Sequence, residues 1–212
     1  MEEERKTIKD IPNKITITVI GKRNSGKTTL LNSLIFPQII NNNNYIITYG
    51  YDIRFFPIND KILIKFYDIG CLEIESNINM FQSMSLYSHY VIYIIDPKIK
   101  ESLEYIKYFE EYFKKNQIIL IFNKIDQIPE QNSFMNNTNI QSFIQKYNIK
   151  NNFYVNSIDV HSINNLKTNL FNLIQKDLNN NAFQQIKNDD FNINPILFHR
   201  TIIDRSKRTY CQ

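Results

Sequence analysis

An α/β fold, with a mostly parallel six-stranded sheet and helices on both faces, is the class this sequence predicts. Three observations predict it. Segments of strand and helix character alternate in the order β-α-β-β-α-β-α-β-α-β-α, and such alternation builds a largely parallel sheet covered on both sides. Residues 89–95 and 117–122 are near-continuous apolar runs, as strands buried on both faces require. Residues 15–20 are a β-branched run that passes through a glycine loop into an apolar-periodic stretch at 28–35. Strand, glycine loop and helix in that order open many sheets that bind ligands at the carboxyl ends of their strands.

Each element has its own local reason. The first strand covers 15–20, and the first helix covers 28–35 with Pro37 just past its end. A polar loop runs to about Thr48. Residues 51–57 and 61–67 read as two strands joined by a tight turn at Asn59-Asp60. Residues 77–87 form a helix candidate with Met80, Phe81, Met84 and Tyr87 on one face, read as core contacts rather than a ligand box. A helix over 101–115 would turn Leu103, Ile106, Phe109, Tyr112 and Phe113 inward. A helix at 140–147, a strand at 153–156 and a helix at 163–178 complete the set. The asparagine runs at 41–44 and 179–181 are read as exposed loops without a function.

Bulk properties narrow the classes. A chain of 212 residues is one domain with a core large enough to fold alone. Its net charge of +4 is mild, and its basic residues are scattered except over 200–208, so nucleic acid is not an expected partner. No apolar run approaches the roughly 20 residues of a membrane helix. The opening residues do not read as a signal peptide, and Glu2 argues against N-myristoylation. Two cysteines, Cys71 and Cys211, make no disulfide framework and suit a reducing cytosol. Cys211 is next to last and so fits no prenylation box; its basic neighbours permit palmitoylation, with an inert thiol as the alternative.

The chain holds only four glycines, where average composition would supply about fifteen. Gly21 and Gly26 frame the segment GKRNSGKT over 21–28, Gly50 follows Thr48, and Gly70 follows Asp68. The first segment fits the phosphate-loop pattern G-x-x-x-x-G-K-[ST]. A chance match has odds on the order of one per cent at this length. In such a loop the backbone N–H groups around Asn24, Ser25 and Gly26, with the helix N-terminus behind them, face a phosphate chain. Lys27 would neutralise the β- and γ-phosphates, and the Thr28 hydroxyl would coordinate Mg²⁺. Asp68, ending its strand, is placed to hold the same ion. Thr48 either adds a second hydroxyl to that ion or faces solvent.

The base is chosen elsewhere. The segment NKID over 123–126 follows a buried strand, about 100 residues after the phosphate loop. Asp126 can accept from N1–H and the exocyclic amine of guanine, and adenine offers no such pair of donors. Asn123 can hold the loop, the Lys124 stem can cover the ring, and Ser157 is a last contact with the base.

With these residues in view, the chain resembles a small Ras-superfamily GTPase with the P-loop NTPase fold, most of all the Arf and Arf-like branch. Its GKRNSGKTTLLN at 21–32 resembles G-L-D-x-[AS]-G-K-T-T-x-L-x. TYGYDI at 48–53 resembles T-V-G-F-N-V, YDIGCL at 67–72 resembles W-D-[VL]-G-G-Q, and NKIDQIP at 123–129 resembles N-K-x-D-L-P. The resemblance spans about 15–178. It implies a GTP/GDP switch with Mg²⁺, a hairpin between the two switch segments, and effector proteins that read the switches and that hairpin; an exchange factor would reload it. The implied nucleotide contacts are Gly21, Asn24, Ser25, Gly26, Lys27, Thr28, Thr29, Thr48, Cys71, Asn123, Lys124, Asp126, Ser157 and Ile158. The implied metal ligands are Thr28, Thr48 and Asp68. It implies a cytoplasmic protein, peripheral on membranes, cilium or cytoskeleton, acting in trafficking, ciliary or cytoskeletal regulation.

Departures from the pattern carry weight too. Cys71 stands where the branch has a glycine whose N–H meets the γ-phosphate. Leu72 stands where it has the glutamine that orients the attacking water, and leucine can neither donate nor accept a hydrogen bond. No catalytic residue is therefore assigned, and hydrolysis is expected to be weak or absent. Lys22 and Arg23 replace Leu and Asp; they either add charge beside the phosphates or point to solvent. Ile158-Asp159 replaces the usual A-[KTL]. Residues 1–13 are a charged lead without the apolar stripe of an interfacial helix. Residues 14–178 are the GTPase domain. Residues 179–212 form an extension whose Ile196, Leu197, Phe198, Ile202 and Ile203 favour a docking tail. Two functions stand: a regulatory switch, or a hydrolysis-dead, GTP-bound interaction subunit of a larger assembly.

Overall fold

The computed structural model describes residues 13–36, 48, 50–70, 81, 84–99, 101–109, 117–128, 138–180 and 182. The lead but for Asn13, the segment with Cys71 and Leu72, and nearly all of the extension lie outside them. Six strands form one sheet: β1 (Asn13–Gly21), β2 (Tyr51–Asn59), β3 (Ile62–Ile69), β4 (Tyr90–Ile95), β5 (Gln117–Asn123) and β6 (Asn151–Val155), in the order β2-β3-β1-β4-β5-β6. Only β2 runs antiparallel to its neighbour. The α/β architecture with a mostly parallel six-stranded sheet is as the sequence predicts. Among the described residues no helix is long and apolar enough to cross a membrane.

Strand alternation divides the core in two. Ile15, Ile17 and Val19 of β1, with Tyr90, Ile92 and Ile94 of β4, face one side. There they meet α1 (Lys27–Ile35) and the final helix, α4 (Val160–Asn179). Val91, Tyr93 and Ile95 point the other way, with Leu120 and Phe122 of β5. They pack on Phe81, Met84, Ile106, Phe109 and the inner residues of α3 (Thr138–Lys146), Ile140 and Phe143. Period two within each strand is what lets one buried sheet serve two apolar layers. Of the stripe expected over 77–87, Phe81 and Met84 are buried as expected and Tyr87 lies in a turn; Met80 is outside the described residues.

Several boundaries differ from expectation; β1 begins at Asn13 rather than 15, and α3 at Thr138 rather than 140. Of the helix expected over 101–115, the described residues are α-helical as α2 (Glu101–Glu104) and tighten into 3₁₀ turns over 105–109; 110–115, with Tyr112 and Phe113, lie outside the described residues. The Tyr93 hydroxyl donates to the Ser102 carbonyl, and Leu103, Ile106 and Phe109 are spaced by three, which suits a turn where such residues align. The last helix begins at Val160 rather than 163, because Asp159 caps it by accepting from the Ser162 N–H at 2.8 Å. Strand β6 begins two residues before its expected start, pairing Asn151 with Ile119.

Candidate functional site

Parallel strands bring their carboxyl ends to one edge of the sheet. Gly21 ends β1, Asp68 lies at the end of β3, Asp96 follows β4, Asn123 ends β5, and Ser157 follows β6. The loop from Gly21 to α1 is closed by a Ser25 N–H to Lys22 carbonyl bond of 3.1 Å. Asn24 and Gly26 both take left-handed backbone, with φ of 63° and 89°. At Gly26 a side chain is excluded twice, since a Cβ there would lie 2.3 Å from Asn123 Nδ2. The Lys27 ammonium curls back into this loop, donating to the Gly21 carbonyl at 2.9 Å and the Lys22 carbonyl at 3.2 Å. A phosphate chain in the loop would offer that ammonium better acceptors than carbonyls.

Thr28, Thr48 and Asp68 meet beside it. The Thr28 hydroxyl donates to Asp68 Oδ2 at 2.7 Å and lies 3.0 Å from the Thr48 hydroxyl. Thr48 is seated by Gly70, whose N–H donates to the Gly50 carbonyl at 2.8 Å. A Cβ at Gly70 would stand 2.1 Å from the Thr48 carbonyl oxygen, so only glycine lets the two chains approach this closely. Asp68 is fully buried, and its Oδ1 has no hydrogen-bond partner. Burial raises its pKa, outweighing the Thr28 hydrogen bond and the charges of Lys27 and Arg54. Two hydroxyls and an under-satisfied carboxylate form a hard-oxygen set, which fits Mg²⁺.

The base-reading segment is anchored to this loop. Asn123 is completely buried; its Nδ2 donates to the Ser25 carbonyl at 2.9 Å and its Oδ1 accepts from the Ser157 N–H at 3.1 Å. One side chain thus ties the phosphate loop, β5 and the turn after β6. Lys124 adopts left-handed backbone (φ 59°), and its ammonium donates to the Asn24 carbonyl and to Asp96 Oδ2, the latter at 2.8 Å. Asp126 sits in a 3₁₀ turn, Ile125–Gln127, and is exposed. Ser157 is buried, and its carbonyl accepts from the Ser33 hydroxyl of α1 at 2.7 Å. The Ile158 N–H donates to Asn156 Oδ1 at 3.1 Å and its side chain is 58% exposed, so its N–H is already engaged. Thr29 is exposed on the first turn of α1.

Lys22 turns to the surface and pairs with Glu101 at 3.2 Å, and Arg23 is exposed. The solvent-facing reading describes Arg23; Lys22 is half-buried and its ammonium is held by Glu101. Cys71 and Leu72 lie outside the described residues.

Sequence reasoning missed Asp96 and Arg54. Asp96 directly follows the apolar run at β4, and the carboxyl-end rule could have found it. Arg54 gives no such signal: Asp52 lies two residues before it on β2, but its other partners, Asp68 on β3 and Asn32 on α1, come from elsewhere in the chain.

A model of the family described as 50S ribosome-binding GTPase matches residues 16–124, just over half the chain, from β1 through the first two residues of the base-reading segment. No curated protein matches this chain.

Proposed function

The chain belongs to the P-loop GTPase family described as 50S ribosome-binding GTPase, and from that premise we propose that its GTP-binding domain is an Mg²⁺-dependent switch of the Arf-like kind with weak or absent hydrolysis. The observation that carries the switch reading is the meeting of Thr28, Thr48 and Asp68 beside the Lys27 ammonium. Through Thr48 it joins the segment before β2 to the phosphate loop, so the ligand in the loop bears on where that segment rests.

The roles follow from chemistry. Backbone N–H groups at 21–28 and the Lys27 ammonium hold the phosphates. Thr28, Thr48 and Asp68 hold Mg²⁺, which supplies charge neutralisation when bound. Asp126 reads guanine, Asn123 fixes the loops that present it, and Lys124 braces the base-reading turn on Asn24 and Asp96. Cys71, Thr29, Ser157 and Ile158 complete the nucleotide contacts. Leu72 supplies no polar atom to orient water, so intrinsic turnover is slow.

The GTPase domain runs over 14–178, with a charged lead at 1–13 and a docking tail at 179–212. Effectors read β2, β3 and the flanking switch segments, and the exposed Ile53 and Phe55 of β2 offer them an apolar foothold. The setting is cytoplasmic, in trafficking, ciliary or cytoskeletal regulation. Leu72 equally supports a second reading, a GTP-bound interaction subunit that never turns over.

Competition binding with Mg²⁺ present tests the base reading: guanosine triphosphate is expected to displace a fluorescent guanine nucleotide at least 100-fold better than adenosine triphosphate, and equal displacement defeats it. Single-turnover hydrolysis tests the rest. Turnover is expected to be far below that of Leu72→Gln combined with Cys71→Gly; ordinary turnover in the unaltered chain, or no gain in the double variant, counts against it. Exchangeable GDP in the purified protein supports the switch, and trapped GTP the interaction subunit.

A further inference from the structure

Strand β2 carries a positive charge to the border of the metal site. Arg54 Nη2 lies 3.1 Å from Asp52 Oδ2 and 3.8 Å from Asp68 Oδ2. Its Nη1 donates to Asn32 Oδ1 on α1. The Arg54 side chain is only 17% exposed and Asp68 is buried, so little water separates the two charges. Even so, this ion pair is not hydrogen-bonded: 3.8 Å is beyond hydrogen-bond length. Both retain a buried atom without a partner, Arg54 Nε and Asp68 Oδ1. An arginine selected to satisfy Asp68 would dock on it with two parallel bonds. This one is held back, because Asn32 and Asp52 occupy its two terminal nitrogens.

We propose that Arg54 is a built-in electrostatic competitor of Mg²⁺ at Asp68, a positioning residue that sets how tightly metal and nucleotide are retained. The proposal rests on the metal-site reading above. With no cation bound, the guanidinium offsets the Asp68 charge and makes the empty state less costly. With a divalent cation on the same carboxylate, the guanidinium repels it. Both effects weaken retention. Asn32 and Asp52 tune the competitor by keeping it one step short of contact.

The test is release of a preloaded fluorescent guanosine diphosphate from the full chain as free Mg²⁺ is lowered. Arg54→Gln is expected to hold nucleotide down to about tenfold lower Mg²⁺ than the unaltered chain. Arg54→Lys keeps the charge without the fork and is expected to track the unaltered chain within about twofold. An unchanged Mg²⁺ dependence in Arg54→Gln overturns the proposal. So does a lysine variant that releases as fast as a glutamine variant weaker than wild type, because that pattern marks a structural clip. Asn32→Ala provides a second arm should Arg54→Gln not fold. Freed from Asn32, Arg54 closes on Asp68, and about threefold more Mg²⁺ is expected to be needed; no change there overturns the proposal too. Failure of the unaltered chain to bind guanine nucleotide with Mg²⁺ defeats the underlying reading, and is seen before any variant is made.

Discussion

Removing the Asn123 amide is expected to cost about 3 kcal/mol of stability with no nucleotide present. The side chain is wholly buried, and it satisfies the Ser25 carbonyl at 2.9 Å and the Ser157 N–H at 3.1 Å. Ser25 and Ser157 are themselves buried. In Asn123→Ala both main-chain groups lose their partner, at about 1–3 kcal/mol each. The two losses sum to about 2–6 kcal/mol, and water entering the vacated space brings the total toward the lower half. Asn123→Asp keeps an acceptor for Ser157 but sets a carboxylate oxygen against the Ser25 carbonyl, so it is expected to cost no less. Gly26 supplies an internal control. In the unaltered protein Gly26→Ala suffers both the 2.3 Å clash with Asn123 Nδ2 and the φ of 89°. In the Asn123→Ala background only the left-handed strain of about 1–2 kcal/mol remains. The double variant is therefore expected to be more stable than the two single losses added together, by about 1–3 kcal/mol. Urea denaturation of the four nucleotide-free proteins measures this. Additivity within about 0.5 kcal/mol, or an Asn123→Ala loss under about 1 kcal/mol, would refute the reasoning.

The other predictions concern the proposed metal ligands and the segments flanking them. Gly70→Ala places a Cβ 2.1 Å from the Thr48 carbonyl, a contact that backbone cannot relieve without moving. The variant is expected to fold but to lose most Mg²⁺-dependent nucleotide retention, read as a dissociation rate that no longer falls when Mg²⁺ is added. Burial lifts the Asp68 carboxyl above its ordinary range, so between its unfolded and folded values the native nucleotide-free chain holds more protons than the unfolded one. Stability then falls as pH rises through that window and stays lowered above it. Asp68→Asn removes the penalty, and its nucleotide-free melting temperature is expected to exceed that of the unaltered chain at pH 7, with the gap vanishing in acid. A variant that melts lower at pH 7 contradicts the burial argument. The expected gain in turnover for Leu72→Gln with Cys71→Gly, and the Mg²⁺ shift for Arg54→Gln, complete the set.

Elements were legible wherever the cause is local. The β-branched run of β1, the apolar blocks of β4 and β5, and the turn between β2 and β3 each betray themselves within a few residues. At that turn the structure adds an Asn59 side-chain acceptor for the Lys61 N–H at 2.9 Å. Boundaries were less legible where a side chain from elsewhere, such as Tyr93 on the Ser102 carbonyl, diverts a backbone group.

The order of residues alone determined the α/β class, the phosphate loop and the two segments, ending at Asp68 and opening at Asn123, that the fold later places beside it. Those are short-range facts, set by side-chain period and by loop shapes that particular residues permit. Only the tertiary structure decided the contacts that brace them: Asn123 with Ser25 and Ser157, Lys124 with Asp96, and Arg54 poised short of Asp68. Such meetings depend on strand order and register. These are fixed by the shared burial of two apolar layers, and no single stretch of sequence encodes that.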